Sequence, residues 1–305
     1  MDFYWEKGYI NEPETFFSFP QSLPPYSVAF KKPFGDGTFE LITYPSAYTP
    51  ANPLVRERYL SYPDNKTGYL VRWAHGDKKR KTVLCLHGYM LGEPKQAERM
   101  FKVRALFDRG LDVALFCAPF HWKRSDGSRA SRHIALRPDD PAWTCEFFGQ
   151  AMYDLQSVLF ILKDLGALEI GIVGASLGGY LSALYSCLGS GISFAAMMVP
   201  AVTFAKPLGP AHFPMPFTMD PVLLEKSIRV LSLHSPLNLL PKLPLDKILI
   251  VASRGDRLCP MEYTYELCEK WGWPLHKFLT GGHWLVFNAS ERGRAWYKFL
   301  HAMGF

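Results

Sequence analysis

From Thr82 onward one pattern repeats: a short run apolar along its whole length, a turn, then a segment whose apolar residues recur three and four positions apart. A strand that is apolar on both faces has to be covered on both. The repetition therefore predicts an α/β three-layer sandwich, with a mostly parallel sheet between two layers of helices. The strands predicted from this repetition are residues 82–86, 111–116, 169–173, 194–199, 247–252 and 275–279. Before the third of them, Asp140 and Pro141 offer an N-cap and a first-turn proline. Trp143, Phe147, Ala151, Leu155, Val158, Leu162 and Leu165 then share one face of the longest predicted helix. Further helices are predicted at 94–109, 177–188 and 261–271, and Ser290 caps a last one carrying Trp296, Phe299, Leu300 and Met303.

Residues 1–80 do not follow this grammar. They are rich in aromatics and prolines, with strands predicted at 39–44 and 69–74 and a loop between them that carries Pro45, Pro50, Pro53 and Pro63. The pattern breaks again over 203–244, which holds eight prolines and only a short helical possibility around 222–233. We read residues 1–68 as an N-terminal extension packed on the core, and 69–305 as the main domain with an insertion at about 203–244.

Composition narrows the function classes. With 48% hydrophobic and 20% charged residues in 305, the chain has the make-up of an ordinary globular protein. Its net charge of +6 is scattered through loops such as Lys78-Lys79-Arg80-Lys81, with no zinc-finger, basic-zipper or RNA-recognition signature, so no nucleic-acid partner is expected. Six cysteines without a Cys-x-x-Cys spacing read as free thiols in a reduced compartment. The first residues lack the basic start and apolar stretch of a signal peptide, and a cytoplasmic location follows as an expectation. Residues 181–205 are free of charge and long enough to cross a bilayer, yet Gly189-Ser190-Gly191 and Pro200 break them into a helix end, a turn and a strand. No stable membrane insertion is expected.

Chemistry is concentrated where the run at 169–173 enters a helix through Gly174-Ala175-Ser176-Leu177-Gly178. A Gly-x-Ser-x-Gly turn between strand and helix lifts the serine clear of the sheet and sets it at the positive end of the helix. A nucleophilic serine needs a base to take its proton and a third group to orient that base. Asp256 follows the strand ending Ile250-Val251-Ala252, and His283 follows the strand ending Phe278-Leu279. Both would emerge at the same carboxyl edge of the sheet as Ser176. Alone, Asp256 could cap the helix after Pro260 and His283 could be an ordinary loop histidine; together they complete the order Ser, Asp, His. Asp220 and Asp246 compete for the acid, but Asp246 precedes its strand and Asp220 belongs to the insertion. For the oxyanion, the segment Leu86-His87-Gly88-Tyr89-Met90 supplies the amide of Tyr89, or alternatively of Met90, beside the amide of Leu177. His87 reads as a brace for that loop rather than as the base.

In these motifs the sequence resembles the α/β-hydrolase superfamily, in its serine esterase and thioesterase branch, over about residues 69–305. The resemblance implies an eight-stranded, mostly parallel sheet, Ser176 as nucleophile, His283 as base, Asp256 as acid and a cap in the insertion. Candidate pocket-lining residues are Met90, Phe120, His121, Phe213, Phe217 and Trp284. Arg124, Arg129, Arg132 and Arg137 read either as a solvated loop or as contacts to an anionic group. His121 and His133 lack a carboxylate at ligand spacing, so no metal is expected, and no Gly-x-Gly-x-x-Gly or P-loop calls for a cofactor. The expected partner is a small-molecule acyl substrate: an ester or thioester of a short to medium acyl group, cleaved through an acyl-enzyme. Transfer of the acyl group to another acceptor, or a silent fold that only binds, are the alternatives.

Overall fold

The computed structural model describes residues 1–76, 79–127, 134–137, 139–206, 220–284 and 289–305. Nine strands form one sheet in the order β1-β2-β3-β5-β4-β6-β7-β8-β9. They are β1 (Ser27–Phe34), β2 (Gly37–Pro45), β3 (Thr67–Ala74), β4 (Thr82–Leu86), β5 (Asp112–Phe116), β6 (Ile170–Ala175), β7 (Phe194–Met198), β8 (Ile248–Ser253) and β9 (Leu275–Leu279). The pairs β1/β2, β2/β3 and β3/β5 are antiparallel, and every pair from β5/β4 to β8/β9 is parallel. The mostly parallel α/β sheet is as the sequence predicts, with one strand more than the eight implied by resemblance. The extra strand is β1, which lies at the sheet edge and exposes all but its last residue to a large degree. It therefore has no apolar face to announce it.

Nine helices accompany the sheet among the described residues: α1 (Asp2–Glu6), α2 (Pro53–Leu60), α3 (Pro94–Met100), α4 (Val103–Phe107), α5 (Pro141–Asp164), α6 (Leu177–Leu188), α7 (Pro221–Ser232), α8 (Met261–Lys270) and α9 (Ala289–Ala302). Two hydrophobic clusters cover the two sheet faces. One gathers buried residues of α5, α6 and α8, and the other gathers Ala97, Phe101, Val103, Leu106, Trp296 and Phe299 from α3, α4, α9 and the α3–α4 junction. The predicted helix over 94–109 is split, because Lys102 adopts a left-handed φ of 53° and turns the chain between α3 and α4. The charge-free stretch 181–205 resolves into the end of α6, a turn and β7. No helix among the described residues is long and apolar enough to cross a membrane. All six cysteines are free and buried.

The longest helix, α5, begins as the sequence dictates: Asp140 accepts the amide of Trp143 at 3.0 Å and Pro141 occupies the first turn. Its apolar stripe faces the core. A second stripe, Glu146, Gln150 and Asp154, spaced four residues apart, is buried and polar, and it receives the N-terminal segment. Glu146 accepts hydrogen bonds from Tyr4 Oη (3.2 Å), Tyr48 Oη (2.6 Å) and the amides of Ala51 and Asn52 (both 2.9 Å). Gln150 Oε1 accepts from Tyr59 Oη (2.8 Å) and Asn65 Nδ2 (2.7 Å), and Asp154 accepts from Ser46 Oγ (2.6 Å). Tyr4 and Phe16 also join the core cluster that contains α5. Asp154 further pairs with Arg124 at 2.7 Å, both side chains being fully buried. Arg124 is thus neither a solvated residue nor a substrate contact. Arg137 pairs with Asp139 at 2.8 Å, while Arg129, Arg132 and His133 lie outside the described residues.

Candidate active site

In the chain β5 lies on one side of β4 and the next strand, β6, on the other, so the order of the sheet reverses at the β4/β6 pair. Ligand sites of open α/β sheets form at the carboxyl ends of the strands flanking such a reversal. The loop after β4 and the Ser176 turn after β6 both sit there.

Backbone geometry explains the glycines around Ser176. A side chain at Gly174 would meet Gly178 O at 1.9 Å, and one at Gly178 would meet Leu86 O at 1.9 Å. Only glycine lets β6, α6 and the end of β4 approach this closely. Ser176 itself holds φ 56° and ψ −116°, a sparsely populated conformation that costs on the order of 1–3 kcal/mol. Three backbone hydrogen bonds hold it there: its amide donates to Met198 O (3.0 Å), and its carbonyl accepts from Tyr180 (3.0 Å) and Ala201 (3.1 Å). The result is a serine at the head of α6, whose first amides have no partner within the helix.

Asp256 and His283 meet because the β8/β9 ladder continues past the strands. Arg254 donates its amide to Leu279 O and Gly255 donates to Gly281 O, each at 2.8 Å. The carboxylate is then oriented by its own loop. Asp256 Oδ1 accepts the amides of Leu258 (2.9 Å) and Cys259 (2.8 Å), leaving Oδ2 to take the His283 Nδ1 hydrogen at 2.7 Å. This fixes the histidine tautomer with Nε2 as the free base nitrogen. Ser176 and His283 line one cleft of about 540 Å³, together with Gly88, Ala175, Met198 and Trp284. No hydrogen bond joins Ser176 to His283 among the described residues; the serine hydroxyl lies 4.0 Å from Cys259 Sγ. Burial pushes the Cys259 thiol up to about 12, so it stays protonated. Asp256, Cys259 and His283 place three possible ligand atoms within 4.8 Å of one another. Both Asp256 oxygens are already engaged, so a metal there would compete with the Asp256–His283 contact.

The remaining predicted residues divide. Tyr89 is half-buried with its ring on His121 (5.7 Å), and neither its amide nor that of Leu177 has a partner among the described residues. His87 is a brace: Nδ1 donates to Gly88 O at 2.8 Å and Nε2 accepts the amide of Ala118 at 3.1 Å. Burial lowers its pKa to about 4, so it stays neutral in this role. Trp284 borders the cleft and is 70% exposed. Phe120 does not border it; the ring is buried against Tyr59 (5.1 Å) and Trp143 (5.3 Å) of the N-terminal segment and α5. His121 is also buried, donating Nδ1 to Pro119 O at 2.7 Å, and Met90 points to solvent at 47% exposure. Phe213 and Phe217 lie outside the described residues, as does the part of the predicted cap between Lys206 and Asp220. Asp220 caps α7 by accepting the amides of Val222 (2.9 Å) and Leu223 (3.2 Å), and Asp246 precedes β8 at the opposite edge of the sheet. Sequence reasoning missed Cys259, which carries no motif, and the cleft residues Arg99, Lys102 and Arg292, which fall in segments read only as helices.

No family model matches the chain. It is 28% identical over 297 residues to each of two uncharacterised proteins of Mycobacterium tuberculosis, one from strain CDC 1551 / Oshkosh and one from strain ATCC 25618 / H37Rv, in both cases spanning 95% of this chain and 70% of that protein. Among solved structures it resembles acetyl xylan esterase 1 from Thermoanaerobacterium sp. JW/SL YS485, with a TM-score of 0.66, 12% identity, and 97% of this chain and 93% of that one covered. Acetyl xylan esterase from Paenibacillus sp. R4 gives 0.61 at 14% identity, covering 99% and 93%. An esterase of Pyrococcus furiosus gives 0.52 at 18%, covering 77% and 88%. With the strand order above, these likenesses establish the α/β-hydrolase fold.

Proposed function

We propose that this chain of α/β-hydrolase fold is a serine hydrolase that cleaves carboxylic esters or thioesters of short to medium acyl groups. The observation that carries the reading is the oriented Asp256–His283 pair opening onto the same cleft as a serine held in a strained turn. In the mechanism, Ser176 Oγ attacks the acyl carbon while His283 Nε2 accepts its proton, and Asp256 stabilises the imidazolium that forms. The amides of Leu177 and Tyr89 receive the oxyanion of the tetrahedral intermediate. His283 then returns the proton to the departing alcohol or thiol, leaving an acyl group on Ser176. A water deprotonated by His283 attacks that acyl carbon in the second half, and the acid leaves as Ser176 recovers its proton. The esterase names of the structural neighbours, two of them for acetyl esters, support this choice of bond and a short acyl group.

The test is a panel of chromogenic acyl esters, thioesters and amides of graded chain length, run with and without a serine-directed phosphonate. We expect ester and thioester turnover, labelling confined to Ser176, and a loss of about 10⁶ in kcat for Ser176→Ala. Undiminished turnover in that variant would place the chemistry elsewhere. Preference for sixteen-carbon chains, or peptide bonds cut faster than esters, would overturn the substrate reading.

A further inference from the structure

The cleft that holds Ser176 and His283 has a one-signed charge. Arg99 from the last turn of α3, Lys102 from the α3–α4 junction and Arg292 from the first turn of α9 all line it, and among the described residues no aspartate or glutamate does. Some cations elsewhere on the surface are paired, as Arg104 with Asp108 at 2.7 Å or Lys206 with Glu266. None of these three has a carboxylate within 4.0 Å among the described residues. The acids adjacent in sequence are turned away. Glu98 accepts the Trp73 indole hydrogen at 3.1 Å, and Glu291 pairs with Lys277 at 3.6 Å. Arg292 is half-buried, and its desolvation, which lowers its pKa, is not relieved by any anion among the described residues. Around it the cleft is apolar and aromatic, with Val173, Met198, Trp284 and Trp296. Charges of one sign in a low-dielectric cleft concentrate the opposite charge there. Arginine in such a wall presents paired donors that match a carboxylate or phosphate.

We propose that the ester cleaved at Ser176 carries an anionic group, a carboxylate or a phosphate, which Arg292 holds with Arg99 and Lys102 in support. This rests on the hydrolase reading and adds the substrate class to it. Arg292 determines specificity by binding a part of the substrate away from the bond that breaks. It belongs to the helix that follows the His283 loop, so the bound anion and the base are positioned by consecutive parts of the chain.

The experiment compares matched esters on the full chain: 4-nitrophenyl butyrate against 4-nitrophenyl hydrogen succinate, and phenyl acetate against 4-acetoxyphenyl phosphate. The first pair reads a carboxylate on the acyl side and the second a phosphate on the alcohol side. In at least one pair we expect kcat/KM for the anionic member to exceed the neutral one by about 10-fold or more, mainly through KM, with the advantage falling as salt is added. Arg292→Met should bring that ratio close to one, and the Arg99→Met, Lys102→Met double variant should lower it. Lys298→Met, on the same helix but outside the cleft, should leave the ratio unchanged. If neutral esters are cleaved in a Ser176-dependent way but neither anionic member is favoured, the proposal fails and the hydrolase reading stands. If no ester is cleaved, the hydrolase reading fails, and the cation cluster is tested by titrating Ser176→Ala protein with phenyl phosphate and with phenylacetate, followed by tryptophan fluorescence. Binding weakened by Arg292→Met would then support the anion site, and absence of binding would overturn it.

Discussion

Replacing Asp256 by asparagine tests the proposed catalytic pair at the level of a single proton. Oδ1 accepts two backbone amides, Leu258 at 2.9 Å and Cys259 at 2.8 Å, while Oδ2 faces His283 Nδ1 at 2.7 Å. Backbone donors cannot turn round, so an asparagine must place its carbonyl oxygen toward them and its NH₂ against His283. That NH₂ donates to Nδ1, the imidazole proton moves to Nε2, and the lone pair that should take the serine proton is lost. A histidine held in the wrong tautomer costs about 10⁴ in kcat, which is about 5.5 kcal/mol in barrier height. The fold should change little, because side-chain volume and both amide contacts are kept. Hydrolysis of 4-nitrophenyl butyrate and the rate of phosphonate labelling at Ser176 should both fall by this factor, with the thermal midpoint within a few degrees of wild type. Asp220→Asn, at the cap of α7, and Asp246→Asn, before β8, should stay within about threefold. An Asp256→Asn enzyme within tenfold of wild type would refute the reasoning, as would an equal loss at Asp220.

Three other perturbations bear on the fold that holds the site. In Gly178→Ala the new methyl would lie 1.9 Å from Leu86 O and 2.7 Å from His87 O, so the turn after β6 must shift; we expect loss of phosphonate labelling and a destabilisation of about 2–4 kcal/mol, and a fully active variant would contradict this. Glu146→Gln should cost about 1–3 kcal/mol by urea unfolding, because its NH₂ must face one of two backbone amides, Ala51 or Asn52, that can only donate; an unchanged midpoint would count against the polar stripe. Acid should destabilise the protein through His87 and His121, whose burial lowers their pKa to about 4 and about 3. Below about pH 6.5 the unfolded chain takes up protons that the folded one refuses, so stability present at pH 7 is lost toward pH 4, by about 2 kcal/mol per histidine at pH 5. Burial raises the pKa of Glu146, which opposes part of this loss, and equal urea midpoints at pH 7 and pH 5 would contradict the balance.

Within the parallel half of the sheet, β4 to β8 were legible because each is buried on both faces and keeps its apolar residues in one run; β9, exposed over its first three residues, is defined by pairing with β8. The serine turn was legible for a steric reason: the closeness of β4, β6 and α6 leaves glycine no substitute at 174 and 178. The sequence hid elements whose stability comes from partners rather than periodicity. β1 is exposed along almost its whole length and is defined by pairing with β2. α2 lay inside a segment read as a proline loop, although Asn52 accepting the amide of Leu54 at 3.0 Å and Pro53 in the first turn are helix-start signals. Phe120 and His121 follow β5, so a place near the cleft was a fair expectation; the aromatic surface of Tyr59, Tyr62 and Trp143 draws Phe120 into the core instead.

The polar stripe of α5 is the least legible feature, because its glutamate, glutamine and aspartate look like the solvated side of an amphipathic helix. Their burial is possible because residues 1–68 bring hydroxyls and amides to meet them and Arg124 pairs with Asp154. The consequence extends to the cleft. Asn65, held by Gln150, accepts the amide of Phe120 through Oδ1 at 3.0 Å and an Arg124 hydrogen through its carbonyl at 2.9 Å. Arg124 also donates to Cys117 O at 3.2 Å, so both ends of the turn after β5 are fastened to the N-terminal segment. From that turn Ala118 donates to His87 Nε2, and His87 donates to Gly88 O on the cleft wall. The segment in which no chemistry could be read therefore positions, through four successive contacts, the loop that carries a proposed oxyanion donor.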